Sequence, residues 1–71
     1  MPHDQIDLAV GQLIGLFEWR LTESSSAWPR LRPALVIVLD ELSRFAPQHP
    51  ARQRVKTFVQ EWDSRNYDRR H

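Results

Sequence analysis

The sequence predicts an all-α protein that folds as a small bundle of three helices. Three segments carry apolar residues at spacings of three and four, which is the pattern of a helix with one buried face. Ser- and Pro-rich stretches separate them. The run from Ala34 to Leu39 would suit a buried strand, but no second strand is available to pair with it. With 71 residues, the chain has the size of a single domain, residues 1–71.

The first helix is predicted from about Asp4 to about Thr22. Asp4 suits the N-cap, and Asp7 places a second carboxylate in the first turn, where the helix dipole is positive. A broad apolar face is wide enough to contact two neighbouring helices. Its residues are Ile6, Ala9, Val10, Leu13, Ile14, Leu16, Phe17 and Leu21.

The second helix is predicted from Pro33 to Ala46, residues 33–46, because proline is favoured at the first helical position and damaging further in. A single turn is expected to start at Pro29. Val36 and Ile37 point away from the main stripe, so the first turns are apolar almost all round, which is typical of a central helix. The stripe itself contains Leu35, Val38, Leu39, Leu42, Phe45 and Ala46.

The third helix is predicted from Pro50 to about Asn66, residues 50–66. Its apolar stripe is the narrowest of the three, so we expect most of its circumference to face solvent. The tail, residues 67–71, does not continue the stripe and is expected to fray. The stripe contains Ala51, Val55, Phe58, Val59 and Trp62.

A second stripe on the first helix lies outside its main apolar face and predicts a contact with another molecule. It contains two glycines, each of which costs about 1 kcal/mol relative to alanine in a helix and allows close approach of another backbone. The alternative is that these glycines lie on an exposed face. A tryptophan in the Pro-flanked connection is either a partner anchor or a cover for its own core. The predicted dimer or partner interface contains Leu8, Gly11, Gly15, Trp19, Trp28, Val36 and Ile37.

The absence of cysteine excludes disulfides and thiolate zinc sites, so a chain this short has few means of stabilisation besides its core. We therefore expect a homodimer. A reducing, cytoplasmic location follows from the same absence. The longest apolar run has six residues, against about 20 for a membrane span, and the N-terminus lacks a basic signal region, so neither a span nor a secretory signal is predicted.

The sequence predicts no catalytic, metal or cofactor site. Its three histidines, His3, His49 and His71, lie near the two termini and in a turn. No pair of residues has the spacing of a helical metal site, and no glycine-rich phosphate loop is present. We therefore do not expect an enzyme.

Charge is distributed unevenly, although the chain as a whole carries +1. Residues 1–24 contain four carboxylates and one arginine, net −3, and residues 47–71 contain six cations and three carboxylates, net +3. The third helix therefore offers a possible basic contact face, formed by Arg52, Arg54 and Lys56.

Nine residues of the third helix, RQRVKTFVQ, resemble part of a homeodomain recognition helix, a resemblance that requires one inserted residue. It implies DNA binding. Where that family has a base-reading asparagine and a phosphate-binding arginine, this chain has Glu61 and Asp63. Two carboxylates there would repel DNA, so nucleic-acid binding is not the expected function.

The predicted function is that of a small non-enzymatic protein-binding regulator or adaptor, acting through helical surfaces on a protein partner that the sequence does not identify. Size and fold class lead to this prediction, because no motif commits the chain to a reaction or a ligand. The first alternative is a nucleic-acid-binding regulator that uses the third helix. The second is a structural subunit of a larger assembly.

Overall fold

The computed structural model describes the backbone of residues 2–70 and the side chains of residues 5–66. Three α-helices are present: α1 (Pro2–Glu23), α2 (Trp28–Phe45) and α3 (Pro50–Arg70). A 3-10 turn, Ser25–Ala27, joins α1 to α2. The residues described contain no strand, so the predicted all-α class with three helices is confirmed.

Two ion pairs show how the helices run. Arg54, near the start of α3, contacts Asp7 near the start of α1, so these two helices are parallel. Arg32, near the start of α2, contacts Asp63 in the second half of α3, so α2 is antiparallel to both. Within the described part of the chain, α1 and α2 hardly touch each other, and each packs mainly on α3.

The central helix is α3, and the prediction that the second helix is central was wrong. Half of the buried apolar side chains lie on α3, although its stripe is narrow, because α1 covers one edge of that stripe and α2 covers the other. The middle of α2 is not enclosed on all sides, since Val36 and Ile37 are 37% and 64% exposed. The buried core contains Val10, Leu21, Trp28, Leu35, Leu42, Ala51, Val55, Phe58, Val59 and Trp62.

Helix α2 begins at Trp28, five residues before the predicted start, and runs through Pro33 without a break. The cause is tertiary packing. Trp28 is 2% exposed, and its ring centroid lies 6.2 Å from that of Phe58 and 6.1 Å from that of Trp62. These contacts fix the first turn of α2. Pro33 then removes one N–H whose acceptor would be the Pro29 carbonyl, and both prolines lie on the exposed side, where water can reach the backbone.

The outer ends of α1 and α3 extend further than predicted. Helix α1 begins at Pro2, so Asp4 lies inside the helix and is not its N-cap. Helix α3 continues to Arg70, four residues beyond Asn66, so the expected fraying does not apply to the backbone of residues 67–70. His71 lies outside the described residues.

Helix α3 begins at Pro50, as predicted, and the preceding residue caps it. The Ala51 N–H donates a 3.0 Å hydrogen bond to Nδ1 of His49, whose side chain is buried. An N-cap side chain accepts from one of the free N–H groups in the first helical turn, and here the imidazole nitrogen takes the place of the usual oxygen. His49 therefore has a structural role at the turn between α2 and α3.

A carboxylate at the edge of the core connects α2 to α3. Nε1 of Trp28 donates to Oδ1 of Asp63 over 2.9 Å. Arg32 donates to both carboxylate oxygens, from Nε to Oδ1 at 2.8 Å and from Nη2 to Oδ2 at 3.1 Å. The Arg32 hydrogen bonds lower the pKa of Asp63, burial partly opposes them, and the Trp28 hydrogen bond lowers the pKa further.

We expect the substitution Asp63→Ala to destabilise the fold by about 1–3 kcal/mol, because it leaves the buried indole N–H of Trp28 without its acceptor. The measurement is the free energy of unfolding in urea. Glu61→Ala is the matched control, since Glu61 is exposed and, among the described residues, forms an ion pair with Arg65 one turn away and with no other residue. Equal effects of the two substitutions would contradict the role assigned to Asp63.

Stability should also depend on pH through Asp63. Because the pKa of Asp63 is lower in the folded chain than in the unfolded chain, its contribution is complete above the unfolded value of about 3.9 and is lost as the pH falls through the folded value. The substitution Asp63→Asn keeps an oxygen for Trp28 but removes the charge. It should therefore flatten the loss of stability below about pH 4, measured by thermal unfolding as a function of pH. An unchanged acid profile would contradict this assignment.

Candidate protein-binding face

Helix α1 has a solvent-facing apolar side, here called the outward face and defined by Leu8, Gln12, Gly15, Leu16 and Trp19. The three large apolar side chains are 63%, 64% and 61% exposed in that order. At about 100° per residue, this side lies opposite the buried residues of α1 that pack on α3. The sequence prediction placed Leu16 in the core face, whereas the structure exposes it.

The two glycines of the predicted interface have different surroundings. A Cβ atom on Gly11 would lie 3.3 Å from Nη2 of Arg54, whose Nη1 contacts Oδ1 of Asp7 at 2.6 Å. Gly11 therefore leaves room for an ion pair within the chain. A Cβ atom on Gly15 would meet nothing within 4 Å. Gly15 is the glycine that lies open on the outward face.

Trp28 is not an available anchor for a partner. Its side chain is 2% exposed, and it packs against Phe58 and Trp62 in the core. Of the two interpretations that the sequence allowed, the structure therefore favours a cover for the core. The reason is that the connection is shorter than predicted, so Trp28 belongs to the first turn of α2 and faces α3.

The exposed apolar residues of α2 do not extend the outward face of α1. Val36 and Ile37 point away from the α2 residues that pack on α3. Because α1 and α2 lie against different edges of α3, these residues and the outward face point in different directions. The two predicted contact surfaces, one on α1 and one on α2, are therefore separate.

Among the side chains that the structure describes, Phe45 is the most exposed large apolar one, at 76%, although it belongs to the predicted core stripe. It is the last residue of α2 and has no turn of helix beyond it to pack against. With Pro47 and Pro50 it lines an open depression of about 600 Å³ at the turn between α2 and α3. Pro47 could have indicated from the sequence that α2 ends at Phe45, because the residue before a proline is disfavoured in a helix.

The predicted basic residues do not form one face. Nε of Arg52 donates to Oγ of Ser43 on α2 over 2.9 Å, whereas Arg54 contacts Asp7 on α1. Arg52 and Arg54 are two residues apart, which places them about 200° from each other around the helix axis. These arginines therefore extend to opposite edges of α3. Lys56 is exposed on the solvent side. The arginines thus connect helices to one another instead of presenting a continuous cationic surface.

The described part of the chain shows neither a metal site nor a membrane-spanning helix beside the outward face. Among the described residues, no group of three metal-ligating side chains comes together, and no helix has the length and apolar content needed to cross a membrane. No protein-family model matches the sequence, and no curated protein or solved structure shows significant similarity to the chain.

The two glycines permit a matched test of these assignments. Gly15→Ala should stabilise the isolated chain by about 0.5–1 kcal/mol, because alanine is the better helix former and the space beside it is open. Gly11→Ala should stabilise the chain less than Gly15→Ala, because the added Cβ atom would crowd the Arg54 guanidinium. Urea unfolding of both variants gives the comparison. A larger gain at Gly11 than at Gly15 would contradict the assigned surroundings.

Proposed function

We propose that this chain is a non-enzymatic protein-binding regulator or adaptor that contacts its partner through the outward face of α1. The observation that carries the proposal is the exposure of Leu8, Leu16 and Trp19, each above 60%, on one side of a helix whose other side is docked. Large apolar residues grouped on one exposed face are typical of protein contact sites, and tryptophan is enriched among the residues that dominate binding.

The total surface area supports the same proposal. The chain exposes 5268 Å², whereas a compact monomer of 8.4 kDa is expected to expose about 4,600 Å². The difference is similar in size to the area of about 800 Å² that each partner buries in a standard protein interface. This excess favours covering of part of the surface, to which the outward face contributes, by a second protein or by a second copy of the chain.

Between the large side chains of the outward face, Gly15 leaves a gap and Gln12 has a flexible polar side chain. Gln12 is exposed, and Gly15 has no side chain, so a residue from a partner helix can insert between Leu8 and Trp19. Insertion of one side chain among four residues of a facing helix is the usual packing of paired helices. The geometry is therefore better suited to a helix than to an extended peptide.

Site-specific photo-crosslinking tests the proposal. With p-benzoylphenylalanine at Gln12, irradiation in cells of the native host should give a discrete protein adduct. The same residue at Gln60, on the exposed side of α3, should not. The mass of the adduct distinguishes the occupants, because a second copy gives about twice 8.4 kDa.

Trp19→Ser is the control for this experiment, since it removes an exposed side chain and should leave unfolding nearly unchanged while abolishing the adduct. Identical adduct patterns from Gln12 and Gln60 would contradict the proposed face. Persistence of the adduct in the Trp19→Ser variant would contradict the role of Trp19.

A further inference from the structure

We infer that the partner segment on the outward face of α1 is a cationic amphipathic helix of another protein. This inference rests on the proposed function and adds the chemical class of the partner. Its evidence is the arrangement of carboxylates on α1 and their lack of cationic partners within the described part of the chain.

The outward face has the spacing of a helix-pairing seam. Leu8, Gln12, Gly15 and Trp19 follow one another at intervals of four, three and four, which keeps them in line along the helix. From Leu8 to Trp19 the seam is about 16 Å long, or three helical turns at 1.5 Å per residue. A partner helix of three to four turns with apolar residues at the same spacing would cover it.

Carboxylates flank this seam on both sides. In the heptad that the seam defines, Glu18 and Glu23 occupy the g and e positions, which in paired helices contact charged residues of the partner. Both are exposed. Cations at the facing positions of a partner would form ion pairs with both.

These two glutamates differ from the other carboxylates whose side chains the structure describes. The others contact an arginine of the chain, whereas Glu18 and Glu23 have no cationic partner among the described residues. The paired carboxylates are Asp7, Asp40, Glu41, Glu61 and Asp63. The unpaired carboxylates are thus the ones that border the exposed apolar seam.

A second copy of α1 would fit this charge pattern poorly. In a parallel pair, Glu18 of one helix would face Glu23 of the other, and like charges at these positions oppose pairing. The antiparallel orientation also brings no cation to the seam. The single arginine of α1, Arg20, lies about 100° around the helix from it.

The exposed sides of α2 and α3 were the remaining places where a second copy of the chain could offer cations to Glu18 and Glu23. Neither side combines two unpaired cations with a line of exposed apolar residues. On α2, Ile37 is exposed, and Arg44 two turns further along already contacts Asp40 and Glu41. Arg30, two turns before Ile37, is then the one cation on this side without an ion pair among the described residues. The solvent side of α3 carries Lys56 but no exposed large apolar side chain among the described residues. Neither face therefore places two unpaired cations beside a line of apolar residues, as Glu18 and Glu23 require, and the cationic helix is assigned to a different protein.

The test uses the full chain labelled with 5-fluorotryptophan and two 18-residue synthetic helices. One helix has leucine at the seam positions and lysine elsewhere, and the other has glutamate in place of lysine. Trp28 and Trp62 are buried and serve as internal references in the fluorine NMR spectrum, whereas Trp19 is 61% exposed. We expect the lysine helix to shift the Trp19 resonance saturably and the glutamate helix to leave it unchanged.

Charge variants distinguish a contact of the lysine helix with Glu18 and Glu23 from nonspecific electrostatic attraction to the chain. The pair Glu18→Gln and Glu23→Gln should weaken binding of the lysine helix about three- to tenfold at low salt, as expected for the loss of two exposed ion pairs. The control pair Asp40→Asn and Glu41→Gln removes the same charge from α2 and should leave the affinity unchanged. Equal weakening by the two pairs would overturn the inference.

Three other outcomes would also overturn it. Equal binding of the lysine and glutamate helices would show that charge does not select the partner. A concentration-dependent dimer that Trp19→Ser abolishes would identify a second copy as the occupant. If the crosslink at Gln12 captures another protein while the lysine helix fails to bind, the proposed function stands and the cationic class of the partner is wrong.

Discussion

The indole N–H of Trp28 imposes the constraint on which the arrangement of the helices depends. Its ring is buried against Phe58 and Trp62, and a buried N–H requires an acceptor. Asp63 supplies that acceptor, and Arg32 holds its carboxylate from the other side. The short connection between α2 and α3 makes these helices antiparallel, and the contact between Trp28, the first residue of α2, and Asp63, in the second half of α3, then fixes how they align along their length. Helix α1 is left to occupy the other edge of the α3 stripe.

The spacing of apolar residues, a local pattern, identified the three helices. Contacts between residues that are distant in the sequence determined where the helices begin and how they pack. The three- and four-residue spacing predicted three helices because it depends on near neighbours. The start of α2 was mispredicted because the rule for Pro33 is also local, whereas the packing that carries the helix back to Trp28 involves residues about 30 positions away. The acceptor role of Asp63 could not be predicted from spacing, since its partners lie 31 and 35 residues away in the sequence.

The outward face of α1 could be predicted from the sequence only in part, because helical geometry is local and contacts between helices are not. Leu8 and Trp19 fall outside the main apolar face of α1 by helical geometry alone, and both are exposed. Gly11 and Gly15 look alike in the sequence, and only the position of Arg54 on another helix distinguishes them. Leu16 belongs to the core face by angle, yet it is exposed because α1 contacts α3 along a narrower arc than its apolar residues would allow. Whether a glutamate is paired also depends on tertiary structure, as Glu18 shows.

The distribution of ion pairs explains why net charge is a poor guide to the partner of this chain. Its basic C-terminal third suggested a cationic surface, but Arg54 contacts an acid of α1, and Arg52 donates to a hydroxyl of α2. These two arginines therefore form contacts between the helices of the bundle and do not contribute to a cationic surface. On α1, Asp7 is neutralised in the same way, whereas Glu18 and Glu23 are not. A partner approaching the apolar side of α1 therefore meets a surface with exposed negative charge, although the chain as a whole carries +1.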